Sequence, residues 1–194
     1  MKLQIILLCA GNSKRFGSNK LLYKIDGKRM FEYSVDLVEK LKEHFNKEIE
    51  NIVVVSKYSE IKNYIENKKM IYVENFKSED GISSSLILGL KEWEKNKSDY
   101  IMFMVCDQPY MKFLTLKNFI ESFFKQSKEI GTLSFKGRMG NPCIFSQKYV
   151  EGLKKLRGDI GGKKIIKQNL DDTYCFEIFN EKELEDIDFF NKIS

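Results

Sequence analysis

The chain has 194 residues, 42% hydrophobic and 31% charged, with two prolines. That predicts one compact domain over 1–194 with its own core and excludes disordered, collagen-like and low-complexity classes. Lys and Arg number 33 against 28 Asp and Glu, a net charge of +5; without a dense basic run, the excess suits a small anionic substrate and does not point to nucleic acid. The cysteines Cys9, Cys106, Cys143 and Cys175 form no C-x-x-C pair, and with the single histidine His44 they build no zinc spacing. They are expected to be buried thiols of a reducing compartment. The longest apolar runs, 5–10 and 100–106, are too short to span a membrane. Leu8 stands where a lipoprotein-type signal needs a small residue before Cys9. A cytoplasmic protein without membrane contact is expected.

In chain order, an apolar run over 3–8, bounded by Gly11, reads as a fully buried strand. Phe31, Ser34, Leu37, Val38, Leu41 and Phe45 recur at helical spacing and predict an amphipathic helix. A strand follows over 51–56, then a short helix marked by Ile61, Tyr64 and Ile65, and a strand over 70–73. Leu86, Leu90 and Trp93 form the stripe of a helix over 83–93, followed by a strand over 100–106 and a helix over 116–124. Strands alternating with helices of this length require crossover connections. The fold class is therefore α/β, a three-layer α/β/α domain with a mostly parallel mixed sheet. After about Gly131, extended pieces over 131–135, 141–145 and 173–178 alternate with turns and two short helices. They read as the far side of the same sheet plus a small antiparallel flap.

Glycine and arginine usage marks a candidate site. Only Arg15, Arg29, Arg138 and Arg157 interrupt the lysine bias, and a guanidinium fork binds phosphate or carboxylate bidentately. The cluster over 8–20 leaves the carboxyl end of the first strand, where open α/β sheets bind ligands. Gly11 and Gly17 let backbone amides turn toward an anion, and Arg15 and Lys20 add charge. Its glycine spacing fits neither a Walker A loop nor G-x-G-x-x-G.

The pattern L-x-A-G-x-S-x-R-x-G-x-x-K over 8–20 resembles the opening motif of the MobA/MocA-type nucleotidyltransferases. Those enzymes move a nucleoside monophosphate from an NTP onto a phosphate or sugar-phosphate acceptor. Further matches follow in order along nearly the whole chain. Gly81-Ile-Ser83-Ser84-Ser85-Leu86 resembles the turn that contacts base and ribose, and Asp107-Gln108-Pro109 resembles the metal-binding D-x-P. The segment 137–145, with Gly140 and Pro142, resembles the stretch beside the acceptor; Gly158-Asp159-Ile-Gly161-Gly162-Lys163 resembles the G-D-x-G loop of the MocA branch. The resemblance implies a Rossmann-like nucleotide-diphospho-sugar-transferase fold. It implies substrate contacts from Leu8, Ala10, Gly11, Asn12, Ser13, Gly17, Gly81, Ser83, Ser85, Gly140, Pro142, Asp159 and Gly161. Arg15, Lys20 and Asp107 are the implied catalytic residues. Mg²⁺ is the implied cofactor, held by Asp107 and Asp188, with Asp186 as the substitute for the latter.

The residues support some of these roles independently. Asp107 ends a largely apolar run, so its carboxylate needs a cation or strong hydrogen bonds. Magnesium shared with triphosphate oxygens meets that need, and a helix N-cap is the alternative. Ser83 and Ser85 can cap the helix that follows, contact a ribose, or do both. Asp159, flanked by glycines, is a turn residue or an acceptor contact.

Cys9 departs from the family's alanine and Phe16 from its methionine; the closing Asp186-Ile-Asp188 lacks the Thr-Pro that usually follows. The first loop and the G-D-x-G loop lean toward the MocA branch. The expected reaction is Mg²⁺-dependent transfer of CMP from CTP to the phosphate of molybdopterin or molybdenum cofactor, releasing pyrophosphate. The product would pass to a molybdenum hydroxylase. The alternatives are a GTP- or sugar-phosphate-specific relative and a non-catalytic carrier or insertion accessory for the cofactor.

Overall fold

The computed structural model describes residues 1–11 and 19–187. The expected site residues Asn12, Ser13, Arg15, Gly17 and Asp188 lie outside the described residues. In chain order the elements begin with β1 (Leu3–Cys9), a short ribbon of β2 (Lys24–Ile25) and β3 (Lys28–Arg29), and α1 (Met30–His44). There follow β4 (Ile49–Ser56), α2 (Ser59–Ile65), β5 (Ile71–Glu74), α3 (Ile82–Trp93), β6 (Tyr100–Val105) and α4 (Phe113–Phe123). The last third holds β7 (Ile130–Phe135), β8 (Arg138–Ser146), α5 (Val150–Lys154), α6 (Lys163–Gln168) and β9 (Thr173–Glu177).

Seven strands form one sheet in the order β5-β4-β1-β6-β8-β7-β9. β1 pairs in parallel with β4 on one side and β6 on the other, Ile6 standing opposite Val53 and Phe103. Both faces of β1 are covered, which is why its sequence is a continuous apolar run and not an alternation. Leu3, Ile5, Leu7 and Cys9 face the core shared with α1, α2 and α4, while Ile6 faces the core shared with α3, α5 and α6. The helices thus cover both faces of a mixed, mostly parallel sheet, as expected.

The stripe of α3 closes the second layer. Leu86, Leu90 and Trp93 are buried, each side chain contributing roughly 1.5–3 kcal/mol of apolar transfer. Gly89 lets the helix approach the sheet: a Cβ there would lie 2.5 Å from Ile6 Cγ2. β1 is also where the chain changes direction across the sheet, since α1 leads to β4 on one side and α3 leads to β6 on the other. Such a switch point opens a crevice at the carboxyl ends of the strands.

Two expectations are corrected here. The late extended pieces all join the main sheet, β8 pairing antiparallel with both β6 and β7. The separate antiparallel ribbon is β2–β3, near the start of the chain, so no late flap exists among the described residues. Nor are the cysteines four buried thiols. The register that sets Leu8 beside Val105 brings the next residues, Cys9 and Cys106, to a Cα separation of 5.3 Å, and they form a disulfide. Cys143 is a buried free thiol and Cys175 is exposed. Cysteine usage therefore gives no argument for a reducing compartment. No helix among the described residues is long and apolar enough to cross a membrane.

Candidate active site

At the carboxyl ends of β1 and β6 lies a cavity of about 260 Å³. It gathers Leu8, Ala10, Gly11, Lys20, Gly81, Ser85, Asp107 and Asp159 from the expected site. Ser78, Glu79 and Ile82 complete the wall on the α3 side. The exit of β1 is held from β4: Ser56 Oγ donates to the Cys9 carbonyl (2.9 Å) and Tyr58 Oη to that of Gly11 (2.7 Å).

Lys20 sits in a 3₁₀ turn over Lys20–Leu22 whose preceding Asn19 side chain accepts from the Leu21 amide. The turn buries most of the lysine and brings Nζ to 2.7 Å from Asp107 Oδ2. The second carboxylate oxygen, Asp107 Oδ1, is buried and has no hydrogen-bond partner among the described residues. No helix begins at Asp107; α4 starts after Lys112, so the N-cap alternative is removed. An ionised oxygen buried without a donor is costly, and a hard cation satisfies it. Asp107 therefore fits a divalent metal. No cluster of three or more metal-ligating side chains occurs among the described residues.

The serine turn is organised by a residue that the sequence did not single out. Asn75, fully buried, donates from Nδ2 to Ser84 Oγ (2.9 Å) and Ser85 Oγ (2.8 Å), and its Oδ1 accepts from the Lys77 amide. Neither Ser83 nor Ser85 caps α3, whose N-cap is Gly81 and carries no side-chain cap bond. Ser83 is buried and lines neither cavity; its amide donates to the Gly158 carbonyl (3.1 Å). Gly81 adopts φ +89°, and a Cβ there would fall 2.3 Å from the Gly158 carbonyl carbon. The serine turn and the G-D-x-G loop are thereby pressed backbone to backbone, which holds Asp159 over the crevice.

Leu8, Ile82 and Asp159 also line a second cavity of about 320 Å³. It includes the expected Gly140 and Gly161 but not Pro142, which is buried in β8. Phe103, Phe145 and Ile166 supply apolar walls; Gln108, Arg138, Lys163 and Asp186 supply polar ones. Cys143 is on its floor, and burial pushes its thiol up to about 11, so it stays protonated near neutral pH. Arg138 pairs with Glu181 at 2.9 Å. Arg29 stacks over Phe31 and Tyr64, and Arg157 donates to the carbonyls of Lys154 and Leu156. Of the three described arginines, Arg138 alone lines either of these two cavities. Gln108 and Lys163 lie inside motifs that the sequence marked, yet nothing local separates them from other polar loop residues.

Residues 5–173 match the model of the MobA-like NTP transferase domain. "Bifunctional protein GlmU" of Clostridium kluyveri is 27% identical over 183 residues, 89% of this chain but 38% of that protein. The chain thus spans well under half of that relative's length. "Purine catabolism protein PucB" of Bacillus subtilis is 25% identical over 194 residues, 94% of this chain and 90% of that one. A "probable molybdenum cofactor guanylyltransferase" of a Geobacillus species is 29% identical over 113 residues, 57% of this chain and 53% of that one. Among solved structures, a manganese complex of Rv0371c from Mycobacterium tuberculosis superposes with a TM-score of 0.74 at 18% identity. It covers 92% of this chain and 89% of that one, which shows the shared fold.

Proposed function

The chain belongs to the MobA-like NTP transferase family, and on that premise we propose that it transfers a nucleoside monophosphate from an NTP to a phosphate-bearing acceptor. The observation that carries the proposal is the meeting of two cavities at Leu8, Ile82 and Asp159, with the Lys20–Asp107 pair at the floor of the first. A triphosphate in the first cavity and an acceptor phosphate reaching it from the second would meet at that junction.

The acceptor phosphate is an anion near neutral pH and needs no general base. Its oxygen attacks the α-phosphorus, the new P–O–P linkage forms, and the bond to the β-phosphate breaks, releasing pyrophosphate. The protein's task is to orient the two phosphates and offset their charge. Lys20, Arg15 and the amides of the first loop stabilise the departing pyrophosphate. Asp107, with Asp188, would hold Mg²⁺, which supplies Lewis-acid charge neutralisation at the phosphates.

CTP is the donor and a pterin phosphate of the molybdenum cofactor the acceptor, with a molybdenum hydroxylase as the recipient of the product. The MocA-like first loop and G-D-x-G loop support this choice. The guanylyltransferase relative favours GTP as the second reading. Pyrophosphate release measured with CTP, GTP, UTP and ATP, each with Mg²⁺ and either pterin phosphate or a sugar phosphate, tests the proposal. CTP turnover with the pterin phosphate supports it. Turnover only with GTP or a sugar phosphate replaces the substrates; pterin binding without pyrophosphate release turns the protein into a carrier.

A further inference from the structure

The segment 183–187 crosses the mouth of the second cavity as a strap, contributing Leu184 and Asp186 to its wall. Its outer end is anchored by the buried Glu183, whose Oε2 accepts from the Lys112 amide (3.2 Å) ahead of α4. Its inner end is anchored by the fully buried Ile187, whose amide donates to the Asp107 carbonyl (3.0 Å). Between them Leu184 lies over Gly140, its Cδ2 3.0 Å from where a Cβ would stand. The Gln108 side chain reaches the middle of the strap. Gln108 Nε2 donates to Asp186 Oδ1 (2.8 Å) and to the Leu184 carbonyl (3.3 Å).

We propose that Gln108 is a positioning residue that latches this strap as the wall of the acceptor cavity, in register with the neighbouring Asp107. The inference rests on the acceptor role given to the second cavity. Gln108 is buried, so both of its amide hydrogens are spent inside the protein. One of its acceptors is a carboxylate, which makes that bond the stronger kind. The placement also ties two sites together. Asp107 and Gln108 are adjacent, and the strap returns to the Asp107 carbonyl, so a displaced strap would shift both the cavity wall and the backbone that presents the metal carboxylate. A hydrophobic residue at 108 would fill the same space and remove both of these hydrogen bonds.

Amide hydrogen exchange in the strap, corrected for the intrinsic rate, tests the latch on the whole chain. In Gln108→Leu, exchange at Ile187 is expected to rise about tenfold at every pH, because the donor is gone. In Gln108→Asn, which keeps the amide but is one methylene shorter, the amide no longer reaches Asp186 and the Leu184 carbonyl, and exchange at Ile187 should rise by a similar factor. Wild-type exchange at Ile187 in both Gln108→Leu and Gln108→Asn overturns the latch. These readouts need no acceptor, so a failed latch with intact pyrophosphate release is distinct from a working latch in a protein that turns over no NTP.

Discussion

Lys20 Nζ stands 2.7 Å from Asp107 Oδ2 across 87 residues of chain, while Asp107 Oδ1 is buried with no donor among the described residues. One carboxylate oxygen is paired with a lysine, and under the proposed function the other is the one that would take the metal. Asp107→Ala is therefore expected to lower Mg²⁺-dependent pyrophosphate release by several orders of magnitude while the circular dichroism spectrum is unchanged. A rate within tenfold of wild type, only ~1.4 kcal/mol of barrier, would reduce Asp107 to a structural partner of Lys20.

Removing the lysine tests the same pair from the other side. Lys20→Met strands a partly buried carboxylate, and breaking such a pair costs roughly 3 kcal/mol of stability. Added Mg²⁺ should then raise the unfolding temperature of the variant more than that of wild type, since the metal supplies the missing positive charge. Calorimetry with and without Mg²⁺ decides it. Equal shifts in both proteins would separate Asp107 from metal binding.

Gly81→Ala combines two faults, a side chain at φ +89° and a Cβ driven to 2.3 Å from the Gly158 backbone. Neither atom belongs to a flexible side chain, so a loop must move. A loss of more than about 2 kcal/mol is expected, together with a higher KM for the NTP. Gly27→Ala is the control: its φ is +80° but nothing lies within 4 Å. It should cost only the backbone strain, roughly 1–2 kcal/mol, and leave KM unchanged. Urea unfolding and steady-state kinetics of the two variants separate clash from strain.

Cys143 and Cys175 should differ in reactivity. The Cys143 thiol is buried, donates to the Gly140 carbonyl at 3.5 Å and is pushed up to about 11, so it is a poor nucleophile at pH 8. Iodoacetamide at that pH should label exposed Cys175 first and reach Cys143 only after denaturant is added, as peptide mass mapping can show. The linkage has a definite sign. The unfolded thiol ionises near its ordinary value of 9.0 and the folded one near 11, so the folded state binds more protons in that window. This contribution to stability is complete below pH 9 and declines as pH rises through 11. Cys143→Ser should flatten that part of the stability profile.

Several elements were legible because their signals are local. The apolar run of β1, the helical stripe of Leu86, Leu90 and Trp93, and the glycine-flanked loops after the strands can each be read within about a dozen residues. They were enough to give a doubly covered α/β sheet with loops bearing charge at the strand ends. The matching register of β1 and β6 is not legible in residue order, and without it nothing in the sequence pairs Cys9 with Cys106.

By itself, then, the sequence determined most of the strands and helices, though not the β2–β3 ribbon, and it showed which loops carry glycine, arginine and aspartate and the family those loops resemble. Burial periodicity and turn chemistry act over a few residues and leave their mark on residue order. Only the tertiary structure decided that β8 runs antiparallel between β6 and β7, that Lys20 neutralises one oxygen of Asp107, that Asn75 sets the serines, and that Gln108 holds Asp186 from 78 residues away. Those contacts join distant parts of the chain. Their partners are chosen by how whole layers pack once the loop-closure entropy has been overcome, and no short stretch of residues encodes that outcome.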